Sequence, residues 1–353
     1  MALPWVLLLA LGSTAAMSCP KYVCNDPSQA VNTELEPDQC VLYEGDTYYV
    51  QPCNSTSGLT YCPAVYESDS FCLPLGPSNA QTAYPGEPCT GDSTCAYGLC
   101  EEGLCIANST ASFCSEPEDC NAGLTCRPVG EANLNRCELP LTVGNKCQQD
   151  SDCINNAGCN NTVCTPYFRQ QEGDAIDKCA PTGGNYGWSN FCAGVMCYGS
   201  VCLKALKSTG DPPQPCTTHL DCTNSHYSYG NFSLPLYTEC QCGMNMNGTA
   251  YCGLFPGDEI AVQYYQKLQQ WVNSTAITQC HVNRRWSLRC AELFWDAADY
   301  AELAYFAYRY WYYPQLYQAE SCVLSIFQPY YVLYRQLAES LASCLLLTTL
   351  FLV

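Results

Sequence analysis

Basic residues are scarce in this chain. Its 353 residues include 14 Lys and Arg against 33 Asp and Glu, which gives a formal net charge of −19. Nucleic-acid binding relies on clusters of Lys and Arg that neutralise phosphates. The composition therefore excludes nucleic acid as a partner. It predicts an acidic protein surface, which favours solubility and makes neighbouring copies repel one another.

Histidine is scarcer still. The chain has His219, His226 and His281, and none of them lies in a recognisable nucleophile or metal motif. We therefore expect no enzymatic activity and no cofactor. The segment Cys240-Gln241-Cys242 has the spacing of a metal pair, but in an oxidising compartment we interpret it as two half-cystines bonded to different partners.

Cysteine, by contrast, is abundant. Of the 31 cysteines, only Cys344 lies in a terminal segment that looks removable, and its loss leaves an even number. Reducing compartments keep thiols unpaired, whereas the secretory route oxidises them to disulfides. The sequence therefore predicts an extracellular protein, at the cell surface or secreted, whose main covalent framework is disulfides.

Both ends of the chain have the pattern of removable targeting segments. Residues 1–18 contain a short apolar run and then small residues before Cys19, which predicts a signal peptide. Residues 344–353 form an apolar tail, and small residues between Ala338 and Ser343 precede it. This pattern predicts a glycosylphosphatidylinositol (GPI) anchor, and hence the membrane as a partner. The alternative is a C-terminal helix packed within the folded domain.

Six Asn-X-Ser/Thr sequons support the extracellular interpretation. Five of them fall within cysteine-rich sequence that has the composition of loops. We expect N-linked glycans on several of the six: Asn54, Asn108, Asn160, Asn231, Asn247 and Asn273.

The first cysteine-rich region, residues 19–88, is predicted to be one module, because a stretch rich in Pro, Gly and Ser ends it. Within it, residues 41–43 and 47–50 have the composition of short strands, and Glu44-Gly45-Asp46 separates them. A tight turn containing Gly between two such runs predicts a β-hairpin.

Residues 89–256 contain an internal repeat of cysteine spacing. Two copies are clear, with four or five residues between successive cysteines: Cys89, Cys95, Cys100, Cys105, and Cys147, Cys153, Cys159, Cys164. Partial copies occur at 114–126, 192–202 and 216–222. Loops this short leave no room for helices. We therefore predict short strands and turns held by disulfides, each contributing on the order of 2–4 kcal/mol.

Acidic residues lie in or beside the loops of these repeats: Asp92, Glu118, Asp119, Asp150, Asp152 and Asp221. Two roles suit such positions, calcium ligation and the capping of turns. Because no EF-hand spacing occurs, we predict no metal site.

The repeats resemble the Dickkopf N-terminal cysteine-rich pattern. The first loop carries an acidic residue and the last loop carries Asn or Gly, as shown by Asp150, Asp152, Asn160 and Asn161 in one copy and by Asp92 and Gly103 in the other. This resemblance implies a Dickkopf-like secreted signalling modulator that acts on a Wnt co-receptor. The basic linker and the colipase-like second module of that family are missing from this sequence.

After Gly257 the composition shifts from cysteine to Tyr, Trp, Leu and Ala. Apolar residues at helical spacing follow Asp258, which suits the positive end of a helix. Further helices are predicted over residues 286–313, 315–327 and 330–343, with prolines between them. The predicted fold is therefore small disulfide-rich repeats of short β-strands and loops, followed by a C-terminal α-helical bundle over residues 257–343.

The cysteines of this helical segment have a consequence for packing. If Cys344 is removed, Cys280, Cys290 and Cys322 remain, and three cysteines cannot all pair among themselves. At least one disulfide must then leave the segment, and Cys252 is the nearest candidate partner. We therefore expect the helices and the repeats to form one rigid body.

Aromatic residues between 300 and 317 occupy too many faces of one helix for all of them to be buried. The predicted exposed patch contains Tyr308, Tyr310, Trp311, Tyr312 and Tyr313. It would contact a protein partner, a glycan or the membrane interface. The alternative is that most of these rings pack on the disulfide-rich body.

The layout of leader, cysteine repeats and apolar tail resembles cysteine-rich, GPI-anchored surface proteins of ciliated protists. It predicts a glycosylated, disulfide-stabilised, extracellular surface-coat protein. The alternative function is an extracellular ligand-binding or adhesion module that uses the aromatic C-terminal helix.

Overall fold

The fold is known from a computed structural model of the chain. The structure describes residues 17–24, 39–52, 59–61, 73–74, 83–130, 134–182, 184–224, 228–229, 232–233, 235–321, 323–324 and 336. Most of the predicted signal peptide, the whole of the predicted tail and Cys322 lie outside these residues. Within the described ranges, no helix is both long and apolar enough to cross a bilayer.

The N-terminal region forms two small sheets. Strands β1 (Lys21–Cys24), β2 (Gln39–Glu44) and β3 (Thr47–Pro52) form a sheet in which β3 is central, parallel to β1 and antiparallel to β2. Strands β4 (Leu59–Tyr61) and β5 (Leu73–Pro74) pair with each other. The predicted hairpin is thus present as β2–β3, and Gly45 supplies the positive φ that its turn requires.

Five cystine repeats follow, and all share one disulfide pattern. In each repeat the first cysteine bonds to the third and the second bonds to the fourth; Cys242, which lies between the last two cysteines of the fifth repeat and bonds to Cys19, is not counted. In chain order the pairs are Cys89–Cys100 and Cys95–Cys105, Cys114–Cys126 and Cys120–Cys137, Cys147–Cys159 and Cys153–Cys164, Cys179–Cys197 and Cys192–Cys202, Cys216–Cys240 and Cys222–Cys252. We number these repeats 1 to 5. The prediction of a disulfide framework of short strands is confirmed.

Each repeat is built on antiparallel strands. Repeats 1 to 3 each contain one hairpin: β6 (Leu99–Glu101) with β7 (Leu104–Ile106), β8 (Thr125–Val129) with β9 (Leu134–Glu138), and β10 (Ala157–Asn160) with β11 (Val163–Pro166). Repeat 4 has a four-stranded sheet of β12 (Ala180–Pro181), β13 (Gly187–Trp188), β14 (Met196–Tyr198) and β15 (Val201–Cys202).

Repeat 5 is the most elaborate. Its main sheet has the order β16-β22-β21, and two separate two-stranded sheets, β17 with β20 and β18 with β19, accompany it. The bounds are β16 Pro215–Cys216, β17 Thr223–Asn224, β18 Ser228–Tyr229, β19 Phe232–Ser233, β20 Leu236–Tyr237, β21 Cys240–Cys242 and β22 Ala250–Cys252.

Two-residue turns close several of these hairpins. The central pairs Glu102-Gly103, Asn161-Thr162 and Gly199-Ser200 all have positive φ at both residues. This backbone twist matches that of the flanking strands, so the hairpins close tightly and place the third and fourth cysteines of the repeat opposite each other on the paired strands.

The helical segment contains α1 (Glu259–Asn273), α2 (Leu288–Phe294) and α3 (Ala297–Trp311). Helix α1 buries one face, formed by Ala261, Tyr264, Leu268, Trp271 and Val272. The prediction of one long helix over residues 286–313 is wrong. Trp295 is extended, and the Asp296 carboxylate accepts hydrogen bonds from the N–H groups of Ala298 and Asp299, so a new helix starts there.

The structure shows a helical region and does not establish the predicted bundle. Helix α1 packs against α3, but it also packs on repeats 3 and 4. Their shared core contains Phe168, Phe191 and Val195 from the repeats and Leu268 and Trp271 from α1. The prediction of a helix that begins at Gln315 is wrong, because residues 315–318 form a turn and helical structure begins only at Ser321. The remainder of the last predicted helices, residues 325–327, 330–335 and 337–343, lies outside the described ranges.

The expected disulfide between Cys252 and the helical segment is not formed. Cys252 lies in β22, where the sheet of repeat 5 holds it beside Cys222, with their Cα atoms 5.3 Å apart. Cys280 bonds to Cys290 within the helical segment. Among the described residues, polar contacts join the segment to the repeats. Asn155 Nδ2 donates to the carbonyl oxygens of Ile277 and Cys280 at 2.6 and 2.9 Å.

Candidate functional site

A concave surface lies between repeat 4 and helices α1 and α3. It encloses about 600 Å³, and we call it the aromatic groove. Its lining is dominated by seven aromatic side chains, with a few polar groups: Tyr186, Trp188, Tyr264, Tyr265, Trp286, Tyr310 and Trp311, with Asp150, Thr182 and Asn190. The volume falls within the ~300–1,000 Å³ range of small-molecule sites, which are typically apolar with a few convergent polar groups.

Aromatic side chains on helices α1 and α3 form one wall of the groove. Tyr264 and Tyr265 lie on α1, and Tyr310 and Trp311 lie at the end of α3. The rings of Tyr264 and Tyr310 are stacked with their centroids 5.0 Å apart, and the Trp311 ring meets Tyr264 edge-on at 6.1 Å. The hydroxyl groups of Tyr265 and Tyr310 are hydrogen-bonded at 2.9 Å. These contacts fix the wall, because each ring restrains its neighbour.

The opposite wall comes from repeat 4 and the segment that precedes α2. Trp188 lies in β13 and is 42% exposed. Trp286 is held by an edge-on contact with Tyr167, with ring centroids 4.7 Å apart. Tyr186 lies beneath this wall and stacks on Phe255 at 5.6 Å. The disulfide-bonded sheet of repeat 4 therefore provides a fixed platform for the exposed indole of Trp188.

The carboxylate in the lining of the groove, that of Asp150, is paired with a lysine. Asp150 Oδ1 accepts hydrogen bonds from Lys178 Nζ and from the backbone N–H of Cys159, both at 2.8 Å. The pair is partly exposed, so it contributes little to stability, but it neutralises the one carboxylate in the lining. The groove is therefore close to neutral in a chain that carries a net charge of −19.

The phenol groups of the groove stay protonated at physiological pH. Burial raises the pKa of Tyr264 to about 12 and also raises the pKa of Tyr265 and of Tyr310. Each phenol therefore keeps its hydroxyl proton and can both donate and accept a hydrogen bond.

A second hollow of about 300 Å³ adjoins the groove. The two share Thr182, Tyr186, Tyr310 and Trp311. Its remaining lining is more polar and includes Thr238, Glu239, Gln241 and Gln315, together with Tyr313. The hydroxyl of Tyr313 has no hydrogen-bond partner among the described residues.

The structure divides the predicted aromatic patch between exposed and packed rings. Trp311 is 46% exposed, whereas Tyr308, Tyr310, Tyr312 and Tyr313 are half-buried. Tyr308 stacks on Tyr312, and Tyr312 packs against a cluster that contains residues of β1 and the fifth repeat. The patch is therefore part of a packed layer whose exposed edge is Trp311.

The cysteine clusters are disulfides. Three sulfurs lie within 4.8 Å of one another in four of the repeats, but each belongs to a disulfide and offers no thiolate to a metal. The two cysteines of Cys240-Gln241-Cys242 bond to Cys216 and Cys19 respectively, which confirms that they have different partners.

The acidic residues of the repeats cap turns. Short 3-10 turns at Asp92–Thr94, Pro117–Asp119, Asp150–Asp152 and His219–Cys222 follow the first cysteine of four repeats. The carboxylate of Asp152 accepts from the N–H groups of Gln148 and Gln149, and Asp119 and Asp221 make equivalent bonds. The Thr217 and Thr218 N–H groups hold the pKa of Asp221 below its usual range. Capping therefore accounts for Asp119, Asp152 and Asp221, whereas Asp92 and Asp150 accept from the N–H of the third cysteine of their repeats and Glu118 accepts from the Asn283 amide.

The sequons differ in accessibility. Asn108, Asn247 and Asn273 are exposed, whereas Asn160 is 5% exposed and its Oδ1 accepts a hydrogen bond from the Asp177 N–H at 2.9 Å. The folded structure leaves no room for a glycan on Asn160. Asn54 and Asn231 lie outside the described residues.

Comparison with known proteins gives little. No protein-family model matches the sequence, and no solved structure matches it. The prion-like-(Q/N-rich) domain-bearing protein 25 of Caenorhabditis elegans is 23% identical over 172 residues. The match covers 43% of this chain and 22% of that protein, so the chain spans less than a quarter of the length of that relative.

Sequence reasoning missed the repeat-side wall of the groove. The signal for Trp188 was weak, because twelve residues separate Cys179 from Cys192 and concealed the start of repeat 4. Trp286 follows Arg284 and Arg285, and these two arginines bind the helical segment to the cysteine-rich region. Arg285 donates to the Ala157 carbonyl oxygen at 3.1 Å, and Arg284 pairs with Glu87.

Proposed function

We propose that this protein is a glycosylated, GPI-anchored component of an extracellular surface coat, with a structural and non-catalytic role. The disulfide framework is that of an extracellular, disulfide-stabilised protein. The observation that supports the proposal best is the extent of that framework. Five doubly bridged repeats are joined to the N-terminus by the Cys19–Cys242 disulfide, across 223 residues. Such cross-linking resists unfolding outside the cell.

The test uses intact cells of the source organism. We expect a phosphatidylinositol-specific phospholipase to release the protein from the surface, and the released chain to end between Ala338 and Ser343 with a glycolipid remnant. Non-reducing mass spectrometry should find no free thiol. Cells that lack the protein should show a thinner coat and greater sensitivity to external protease. A chain that still carries Val353 would refute the anchor.

The second candidate function is extracellular ligand binding or adhesion. The aromatic groove favours it, because two exposed indoles on a fixed scaffold are unusual for a purely structural surface. Saturable binding of a defined ligand, lost on Trp311→Ala, would distinguish this function from a coat role alone.

A further inference from the structure

We propose that the aromatic groove and the adjoining hollow bind an uncharged oligosaccharide. Trp188 and Trp311 would stack on pyranose rings, and the polar lining would accept and donate hydrogen bonds to sugar hydroxyls. The proposal goes beyond the coat function and does not depend on the anchor.

The first argument is the exposure of the two indoles. Trp188 and Trp311 keep 42% and 46% of their surface exposed, although the other groove rings are largely packed. They lie on opposite walls, one in β13 and one at the end of α3. A pyranose ring has an apolar face of C–H groups that matches the face of an indole, and its edge carries hydroxyl groups.

The second argument is charge. The Lys178 ammonium neutralises Asp150, and no other charged residue lines the larger hollow among the described residues. The rest of the chain is strongly acidic, so it repels phosphates, sulfates and anionic lipids. The smaller hollow adds the carboxylate of Glu239, which accepts a hydrogen bond from the Gln241 amide and would repel an anion as well. A neutral ligand meets no such repulsion.

The third argument is the polar lining. The side chain of Asn190 would lose water to a purely apolar ligand without gaining a partner, whereas the Thr182 hydroxyl and the paired hydroxyls of Tyr265 and Tyr310 already bond within the protein and can still accept from a ligand. In the smaller hollow, the Tyr313 hydroxyl has no partner among the described residues, and the amides of Gln241 and Gln315, which bond to each other, line the same hollow. A hydroxyl-rich ligand satisfies groups of this kind, whereas a lipid chain does not.

The fourth argument is size and continuity. The hollows of about 600 and 300 Å³ meet at Tyr310 and Trp311. Together they form a cleft longer than one sugar ring, with the Trp311 indole at the junction. The site therefore suits a short oligosaccharide, with consecutive rings on either side of Trp311.

The experiment uses the purified, disulfide-intact protein on a printed array of neutral and anionic oligosaccharides. The best neutral oligosaccharide is then titrated by intrinsic tryptophan fluorescence. We expect a shift of the emission on binding. We expect Trp311→Ala and Trp188→Ala each to weaken binding about tenfold or more, and Trp311→Phe to weaken it less because it retains a ring.

Phe113→Ala is the matched control. Phe113 is 62% exposed and lines neither hollow, so its loss should leave the affinity unchanged. Far-ultraviolet circular dichroism and the melting temperature of each variant establish that it is folded. The proposal is overturned if no neutral oligosaccharide binds at about 1 mM, a Kd that corresponds to only about −4 kcal/mol. It is also overturned if only anionic glycans or a protein bind, or if both Trp variants bind as the unchanged protein does. Loss of the GPI anchor would leave the result unaffected.

Discussion

Asp258 and Asp296 occupy the same position at the start of two helices of equal length, but in opposite environments. Both are N-cap residues, of α1 and α3 respectively. Asp258 is 5% exposed, and its carboxylate makes no bond to the helix. It accepts instead from the N–H and hydroxyl of Ser208 at 2.8 and 2.7 Å, and from the N–H of Phe255 at 2.8 Å. It therefore ties the segment after repeat 4 to the start of the helical region.

The magnitude follows from these three bonds. Asp258→Ala removes the carboxylate and leaves the half-buried N–H group of Ser208 and the buried N–H group of Phe255 without an acceptor. Each such group costs about 1–3 kcal/mol, so we expect a loss of about 2–6 kcal/mol in the free energy of unfolding. Asp296 is exposed and caps only α3, so Asp296→Ala should cost about 1 kcal/mol. Asp258→Asn keeps one acceptor oxygen and should fall between the two.

The assay is guanidinium-induced unfolding without reductant, followed by far-ultraviolet circular dichroism and extrapolated linearly to zero denaturant. The informative quantity is the ratio of the losses in the free energy of unfolding that the two Ala variants cause. Equal losses for Asp258→Ala and Asp296→Ala would refute the reasoning, since they would show that the buried network adds nothing to an ordinary helix cap.

Three further predictions concern buried side chains. Burial lowers the pKa of His281 from 6.5, so the folded state binds the imidazole proton less tightly than the unfolded state does. The stability of the protein should therefore be complete above about pH 6.5 and fall as the pH drops below it. His281→Gln should flatten that part of the plot of melting temperature against pH. Peptide mass spectrometry should find glycans on Asn247 and Asn273 and none on Asn160; an occupied Asn160 would contradict its buried position. Trp271 is 1% exposed, and Trp271→Ala should cost about 3–5 kcal/mol in denaturant unfolding, whereas a loss below about 1 kcal/mol would show that the shared core of α1 and the repeats is loosely packed.

The sequence correctly predicted those elements whose pattern lies within a short stretch of neighbouring residues. The spacing of apolar residues after Asp258 predicted α1, and Gly45 between two strand-like runs predicted the β2–β3 hairpin. The break between α2 and α3 was missed because Trp295 continues the apolar pattern, although Asp296 carried the sign of a helix start.

The pairing of cysteines that lie far apart in the sequence could not be predicted from such local patterns. Eight cysteines alone allow about 105 pairings, and spacing does not choose among them. Repeats 4 and 5 were recognised only in part, because long insertions follow Cys179 and Cys222. The groove depends on this pairing, since the disulfides of repeat 4 place Trp188 opposite Trp311. Trp188 and Trp311 are 123 residues apart in sequence.

The alternation of the disulfides has a topological consequence. Because the loop from the first to the third cysteine overlaps the loop from the second to the fourth, every peptide bond inside a repeat is spanned by at least one bridge. The Cys19–Cys242 disulfide spans the connections between repeats as well. A protease that cuts once anywhere between these two cysteines therefore releases no fragment. The nicked molecule gains only the mass of one water and keeps its connections until a reductant reaches it.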